Sequence, residues 1–548
     1  MDSKEAELHK KIQDLEYELG RLKKKKYGLV WEDKPEKFDK ESENALPILK
    51  EKGGRYKDII SSPDEDFNIL IEGDNYHSLS VLSYTHKDKV DVIYIDPPYN
   101  TGERDFIYND KFVDKEDPFR HSKWISFIKK RLELSKKLLT EQGIIFISID
   151  DNESSSLKLL CDEIFGADHF LGNLTWIKRT KSTNSGTAKK MIQQKTEYIY
   201  VYSNVPADSF CGFEMLYDDT KKKKYPHKGK FGSCRFENLE ATDYGRKKRD
   251  TMKFPILGVA PRIGRRWQIG QDTADELVKL GKIELVEGVP MRAVYPEDED
   301  SESFIPFWSH LENIGTAESG KEELKQIVGP EHGFDTVKPT DLINKILERF
   351  RDDVIVLDFF AGSGTTGESV LKMNDLKGGN RRFILCTNND NLICENITFP
   401  RLNNVIKGYE NQKGEKVEGL KGNLKYLKTD FLKIDKVNDN LRRKMVDRST
   451  EILCLKENTF KSHKDLYIEK KSKIFDNSEK YTAILFDTFF FEEFVDEISK
   501  LKDKPVSVYV FSHTNTFPRE EFGDLNIDFT VEAIPEKILE TYKKIFNF

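Results

Sequence analysis

No stretch of 18 apolar residues occurs anywhere in the 548-residue sequence, so no membrane-spanning helix is expected. The opening residues Met1-Asp2-Ser3-Lys4-Glu5 lack the apolar region of a secretory signal, which makes a soluble, cytoplasmic chain with no membrane partner the expectation. Cysteine is scarce. The six (Cys161, Cys211, Cys234, Cys386, Cys394 and Cys454) are scattered and form no Cys-x-x-Cys pair. That pattern argues against a zinc site and against disulfides, and no metal is expected. No Gly-Lys-Ser or Gly-Lys-Thr follows a glycine turn, which excludes a phosphate-loop nucleotide hydrolase. A chain of this length should hold two to four domains with at least one large core.

Positive charge is also short overall, because the formal net charge is −7. The distribution is uneven. Residues 171–270 hold 21 Lys and Arg against 9 Asp and Glu, a surplus of 12 that leaves −19 on the remainder. Basic charge gathered on one segment is the footprint of a polyanionic partner. Within it, Trp176-Ile177-Lys178-Arg179, Lys221-Lys222-Lys223-Lys224-Tyr225, Arg246-Lys247-Lys248-Arg249 and Arg262-Ile263-Gly264-Arg265-Arg266-Trp267 mix cations with aromatics. Cations neutralise phosphates and aromatics stack on unpaired bases, so Trp176, Lys178, Arg179, Arg246, Lys247, Arg265 and Arg266 are candidate contacts to nucleic acid. The Lys221 run suits a phosphate-contacting loop better than a reader of sequence.

The most informative residues are Asp96-Pro97-Pro98-Tyr99, directly after the apolar run Val92-Ile93-Tyr94-Ile95. A short buried strand ending in two prolines puts an acid and a ring at the carboxyl edge of a sheet, where open α/β sheets bind ligands. Proline fixes φ and has no N–H, so the turn is stiff and its carbonyls are free to accept. The carboxylate of Asp96 and the carbonyl of Pro97 suit the two hydrogens of a planar exocyclic amine, with Tyr99 against the ring. Such bonds return electron density to the nitrogen, which can then attack a methyl donor. The second strand-turn, Val354-Ile355-Val356-Leu357-Asp358-Phe359-Phe360-Ala361-Gly362-Ser363-Gly364-Thr365-Thr366, runs into a helix. Its glycines let a ligand approach N–H groups at a helix start. The third glycine of a dinucleotide fingerprint is missing at its usual offset. A ligand with a ribose and a carboxylate but no phosphate fits better, which points to S-adenosyl-L-methionine.

Taken together, these motifs resemble those of DNA amino-methyltransferases, and specifically the modification subunits of type III restriction-modification systems. The amine motif precedes the cofactor motif, similar to the permuted order of the β class. Ile71-Glu72-Gly73-Asp74-Asn75, Phe334-Asp335-Thr336-Val337-Lys338-Pro339, His121-Ser122-Lys123-Trp124 through Lys130-Arg131-Leu132, and Gly143 through Glu153 also read like the family, so the resemblance covers about residues 27–410. It implies transfer of a methyl group to the N6 of adenine in double-stranded DNA, with Asp96, Pro97, Pro98 and Tyr99 as the catalytic motif. It implies cofactor contacts from Asp74, Lys338, Pro339, Asp358, Phe360, Gly362, Ser363, Gly364, Thr365 and Thr366. It places Trp176 near the target base. Relatives commonly hold the ribose with an acid where this chain has Thr387, so either Asn389 or Asp390 substitutes or the ribose contact is looser. A homodimer and a helicase-nuclease restriction subunit are the expected partners. Rival readings are another acceptor (cytosine N4, RNA adenine or a protein amide), or a recognition subunit that mainly guides a nuclease.

The expected fold is a Rossmann-like α/β methyltransferase sheet in permuted order, with an inserted target-recognition domain and a small C-terminal α/β domain. Leu8, Ile12, Leu15, Leu19 and Leu22 give residues 1–26 a helical seam too short for an isolated coiled coil. Residues 27–170 and 331–410 alternate strands and helices as two parts of one mostly parallel sheet. Residues 171–330 are then the inserted recognition domain, and 411–548 an assembly domain.

Overall fold

Ten described strands form one sheet in this computed structural model. The structure describes residues 29–41, 44–54, 56, 58–61, 66–181, 190, 192–217, 224–243, 250–298, 304–334, 336–434, 438–463, 471–512, 514 and 516–546. In chain order the strands are β1 (Ala45–Glu51), β2 (Phe67–Glu72), β3 (Val90–Ile95), β4 (Leu139–Ile149), β5 (Phe170–Ile177), β6 (Thr196–Ser203), β7 (His310–Leu311), β8 (Ile355–Asp358), β9 (Arg382–Thr387) and β10 (Asn423–Lys433). Across the sheet they run β1-β10-β2-β9-β8-β3-β4-β6-β5-β7. The six central strands from β10 to β4 are parallel, and β1, β6 and β5 add antiparallel pairings. Central strands covered on both faces must be apolar throughout. Val92, Ile93 and Ile95 of β3 and Ile144 to Ile147 of β4 are accordingly buried.

Strands β3 and β8 are neighbours, with Val356 opposite Val92 and Leu357 opposite Ile93. After β3 the chain passes through helix α1 (Arg120–Lys136) to β4 on one side. After β8 it passes through helix α2 (Thr365–Lys377) to β9 on the other side. The strand order therefore reverses between β3 and β8. Loops leaving two such strands diverge and open a crevice at their carboxyl ends. At the opposite end of the pair, the Ile355 amide donates to Asp91 at 2.9 Å and locks the register.

The described chain separates into two compact units, Met1–Phe213 with Trp308–Phe548, and Glu214–Phe307. This redraws the expected 171–330 insertion. Residues 171–213 supply β5 and β6 to the main sheet, and helix Ala317–Val328 lies in the same unit. The 411 boundary also moves, because β10 is inserted between β1 and β2 and cannot be removed without splitting the sheet. Beyond it, five strands form a second sheet over its own apolar core, which includes Ile474, Ala483, Val508 and Phe529. Tyr542 from the last helix donates to the Pro47 carbonyl at 2.6 Å, tying this segment to β1. The smaller unit is built on a four-stranded antiparallel sheet and on a buried Trp267, whose indole donates to Phe254 at 2.6 Å. The N-terminal helix expected over 1–26 lies outside the described residues, as do Arg246 and Lys247.

Candidate active site

Asp96 leaves the end of β3 and Asp358 ends the neighbouring β8, so the two motifs meet at the strand-order reversal. One residue links them directly. The Lys338 ammonium donates to both carboxylate oxygens of Asp96 at 2.9 Å and to the Tyr99 hydroxyl at 3.0 Å. Its backbone carbonyl accepts from the Thr365 hydroxyl at 3.2 Å, at the start of α2. Pro339 follows as the N-cap of helix Thr340–Leu347. Gly320 allows helix Ala317–Val328 to come this close, because a Cβ there would lie 2.5 Å from the Val337 carbonyl.

The amine motif is held rigidly. The Trp124 indole donates to the Pro98 carbonyl at 2.6 Å, leaving the Pro97 carbonyl as the acceptor to assign to an incoming amine. Asn100 takes a left-handed φ of 57° after the prolines and donates to the buried Glu153 at 2.6 Å. The Tyr99 hydroxyl donates to Asp96 at 2.7 Å. Burial, followed by the charges of Asp96 and Glu197, raises the Tyr99 pKa well above the ordinary phenol value, so it remains a donor.

Glu197 had no motif to announce it. It stands on β6 opposite Trp176 of β5 and is buried. Its carboxylate meets Lys178 at 3.0 Å, Lys338 at 3.2 Å and the Tyr99 hydroxyl at 3.2 Å. Burial alone would push its pKa up, but Lys338 and Lys178 outweigh that and hold it low. A polar residue facing a crevice from a strand of the main sheet was the only available signal. Two expected nucleic-acid contacts are corrected here. Lys178 is committed to this ion pair, and Trp176 is 1% exposed with its indole donating to Gly315 at 2.8 Å. Trp176 thus walls the cluster, with its ring 5.5 Å from the Lys338 ammonium, and has no face open for a base. Arg179 is exposed, whereas Arg265 and Arg266 are half-buried in the smaller unit.

The glycine turn uses its side chains inward. Asp358 is 3% exposed and accepts from the Phe360 amide at 2.9 Å and the Thr366 hydroxyl at 2.6 Å. Burial pushes its pKa up to about 7. The buried Arg401 donates to Ser363 Oγ at 3.1 Å and Thr365 Oγ1 at 2.8 Å, and pairs with Glu368 at 2.6 Å. Gly362 has φ 47° with a Cβ position 3.2 Å from the Phe334 ring. Gly364 has φ 81° and caps α2 with no side-chain bond. Asp358, Ser363, Thr365 and Thr366 all turn inward, and the amides of Phe360, Ala361 and Gly364 donate to Asp358, Cys386 and Ala361.

The loop after β2 joins the same edge. The Gly73 amide donates to Thr387 at 2.9 Å, and Asn75 donates to the Phe359 carbonyl at 3.0 Å. Asp74 caps the following helix through Tyr76 at 2.7 Å, and its side chain is still 43% exposed. Partial burial and the nearby charges of Asp74 and Asp110 raise the pKa of Asp390. Asn389 is half-buried and accepts from the Glu395 amide at 3.2 Å, which leaves Asp74 and Asp390 as the carboxylates at this edge. An uncapped helix start, two left-handed glycines and exposed acids fit a carboxylate-bearing nucleoside better than a phosphate. Among the described residues no group of three His, Cys, Asp or Glu could hold a metal ion, and no helix is long and apolar enough to cross a membrane.

A family model described as DNA methylase matches residues 90–397. The chain is 34% identical over 377 residues to the type III restriction-modification enzyme StyLTI Mod subunit of Salmonella typhimurium, covering 62% of this chain and 56% of that protein. It is 32% identical over 387 residues to the EcoPI Mod subunit of Escherichia phage P1, covering 58% of that protein. The chain thus spans well under two thirds of the length of those two relatives. Against the type II methyltransferase M.KpnI of Klebsiella pneumoniae it is 31% identical over 398 residues, covering 66% of this chain and 92% of that enzyme.

Proposed function

Because the chain belongs to the DNA methylase family, we propose that it transfers a methyl group from S-adenosyl-L-methionine to the N6 of a target adenine in double-stranded DNA. The observation that carries this reading is the Lys338 bridge, which joins the Asp96 motif to the glycine turn across two adjacent parallel strands. Asp74, Asp358, Phe360, Gly362, Ser363, Gly364, Thr365, Thr366, Lys338, Pro339 and Asn389 are the proposed cofactor shell. Asp74 and the turn's N–H groups contact the ligand, while Asp358, Ser363, Thr365 and Thr366 hold the turn in shape. Bound there, S-adenosyl-L-methionine supplies an electrophilic methyl group whose bond to sulfur breaks as the amine lone pair bonds to carbon.

The target adenine leaves the duplex at a cost of a few kcal/mol, typical of base flipping. Asp96 and the Pro97 carbonyl accept the two N6 hydrogens, and Tyr99 lies against the ring. These bonds orient the lone pair, so positioning supplies most of the acceleration. Asp96, 28% exposed, passes the departing proton to solvent. Arg179, Arg265 and Arg266, together with the basic stretch around Arg246 and Lys247, are the proposed phosphate contacts. The type III Mod subunits among its relatives support a place as the modification and recognition subunit of such a system. Its proposed partners are a second copy of itself and a helicase-nuclease restriction subunit. Light scattering of the purified chain with and without that subunit tests both associations.

Asp96→Ala should bind cofactor normally in calorimetry and lose methyl transfer to DNA by at least about a thousandfold. Near-normal incorporation of tritiated methyl by this variant would overturn the assignment. Single-molecule sequencing of DNA from cells expressing the wild-type chain identifies the base and the position. Methylated cytosine in place of adenine would remove the N6 reading.

A further inference from the structure

The carboxylate that must receive the target amine is already taken. Lys338 covers both oxygens of Asp96, and a neutral adenine cannot drive an ammonium off a carboxylate unless that ammonium has another anion to rest on. We propose that Glu197 is that resting place: a positioning residue that receives the Lys338 ammonium as the exocyclic amine takes Asp96. This inference builds on the proposed methyl transfer and adds an exchange step to it.

The geometry requires little motion. Glu197 Oε2 is already 3.2 Å from the Lys338 ammonium, so releasing Asp96 never leaves the cation unpaired. Glu197 itself cannot follow the lysine, because its other oxygen is anchored by Lys178 at 3.0 Å and its backbone lies in the register of β6 with β5. Trp176, pinned to Gly315, closes one side of the lysine's path. Charge is balanced throughout: two lysines face two carboxylates, and the Tyr99 hydroxyl lies between the acids at 2.7 and 3.2 Å. Without Glu197, Lys338 would keep Asp96 as its carboxylate partner and the amine would face a locked acceptor. The exchange also gives the resting enzyme a covered acid, released only when a base that can hydrogen-bond to it arrives.

The test is a variant series on the full chain with duplex DNA. Glu197→Gln, nearly isosteric but uncharged, should lower kcat by about 10- to 100-fold. Cofactor affinity in calorimetry should stay within about twofold, because the side chain lies on the amine side of the site. Glu197→Asp, which keeps the charge, should fall between wild type and Glu197→Gln. A Glu197→Gln enzyme with wild-type kcat overturns the exchange, and so does a Glu197→Asp enzyme no faster than Glu197→Gln, the mark of a merely structural role. A crystal structure of the wild-type chain with target duplex and the demethylated cofactor gives an answer independent of variant folding. Lys338 should be on Glu197 and out of hydrogen-bond reach of Asp96, and a lysine still on both Asp96 oxygens beside the bound amine rules the proposal out. A wild-type chain that methylates no DNA would remove the proposed function and the exchange with it. Normal methylation together with an unimpaired Glu197→Gln removes the exchange alone.

Discussion

Asp358 shows how a single buried acid can couple the glycine turn to pH. Its folded pKa of about 7 lies above its ordinary value of 3.8, because burial disfavours the carboxylate more than Thr366 and Phe360 can offset. The folded state therefore holds this proton more tightly than the unfolded state does. The contribution is favourable at low pH and is lost as pH rises from about 4 to 7. Asp358→Asn removes the titration, so its melting temperature should fall less than that of wild type between pH 5.5 and 7.5. Parallel pH profiles of the two proteins in thermal scans would exclude this assignment. At the same scale, charge and ring type point Lys178 to nucleic acid, and ring type with the family resemblance points Trp176 there. Residue type cannot reveal that an anion on the adjacent strand has already claimed the lysine.

At the scale of elements, a strand end, a two-proline turn and helix α1 hold the proposed amine motif as one rigid piece. Trp124 in α1 is fully buried, and its indole N–H is the clamp on the Pro98 carbonyl. Trp124→Phe keeps the apolar packing and deletes the clamp. It should lower kcat by about tenfold with cofactor affinity unchanged, because a misplacement near 1 Å is enough for such a loss. Unaltered kcat in stopped-assay kinetics would show that the prolines alone suffice to hold the loop. The element reading from sequence was close where apolar runs were continuous, as in β3 and β8. Strand β4 starts at Leu139, where it pairs with Val90 of β3, before the 143–153 stretch that stands out in the sequence. Cross-strand pairing sets that end, and an apolar pattern does not record it.

For the whole molecule, the uneven charge is the lever on the proposed DNA binding. The surplus of 12 positive charges in residues 171–270 is opposed by −19 elsewhere, so attraction to phosphates has to be local. Arg265→Ala should weaken binding to all duplexes alike and reduce the slope of log affinity against log salt by about 1. Fluorescence anisotropy across a salt series measures this, and an unchanged slope would remove Arg265 from the phosphate contacts. The expected boundaries at 171 and 411 failed here for a common reason. Strands β5 and β6 continue the main sheet beyond β4 and β10 inserts between β1 and β2, and no local composition change marks such pairings.

From the amino-acid order alone came the two strand-turn motifs, the chemistry of an acid and a stiff carbonyl facing an amine, the glycine turn, and the charge split. Each depends on residue type and short spacing, which local sterics and electrostatics translate directly into geometry. Tertiary structure alone decided that β3 and β8 lie side by side, that Lys338 spans them, and that Glu197 and Lys178 complete the cluster. Those facts rest on hydrogen bonds between residues up to 264 positions apart, as from Ile355 to Asp91. Such bonds exist only after the sheet has closed, so no window along the chain contains them.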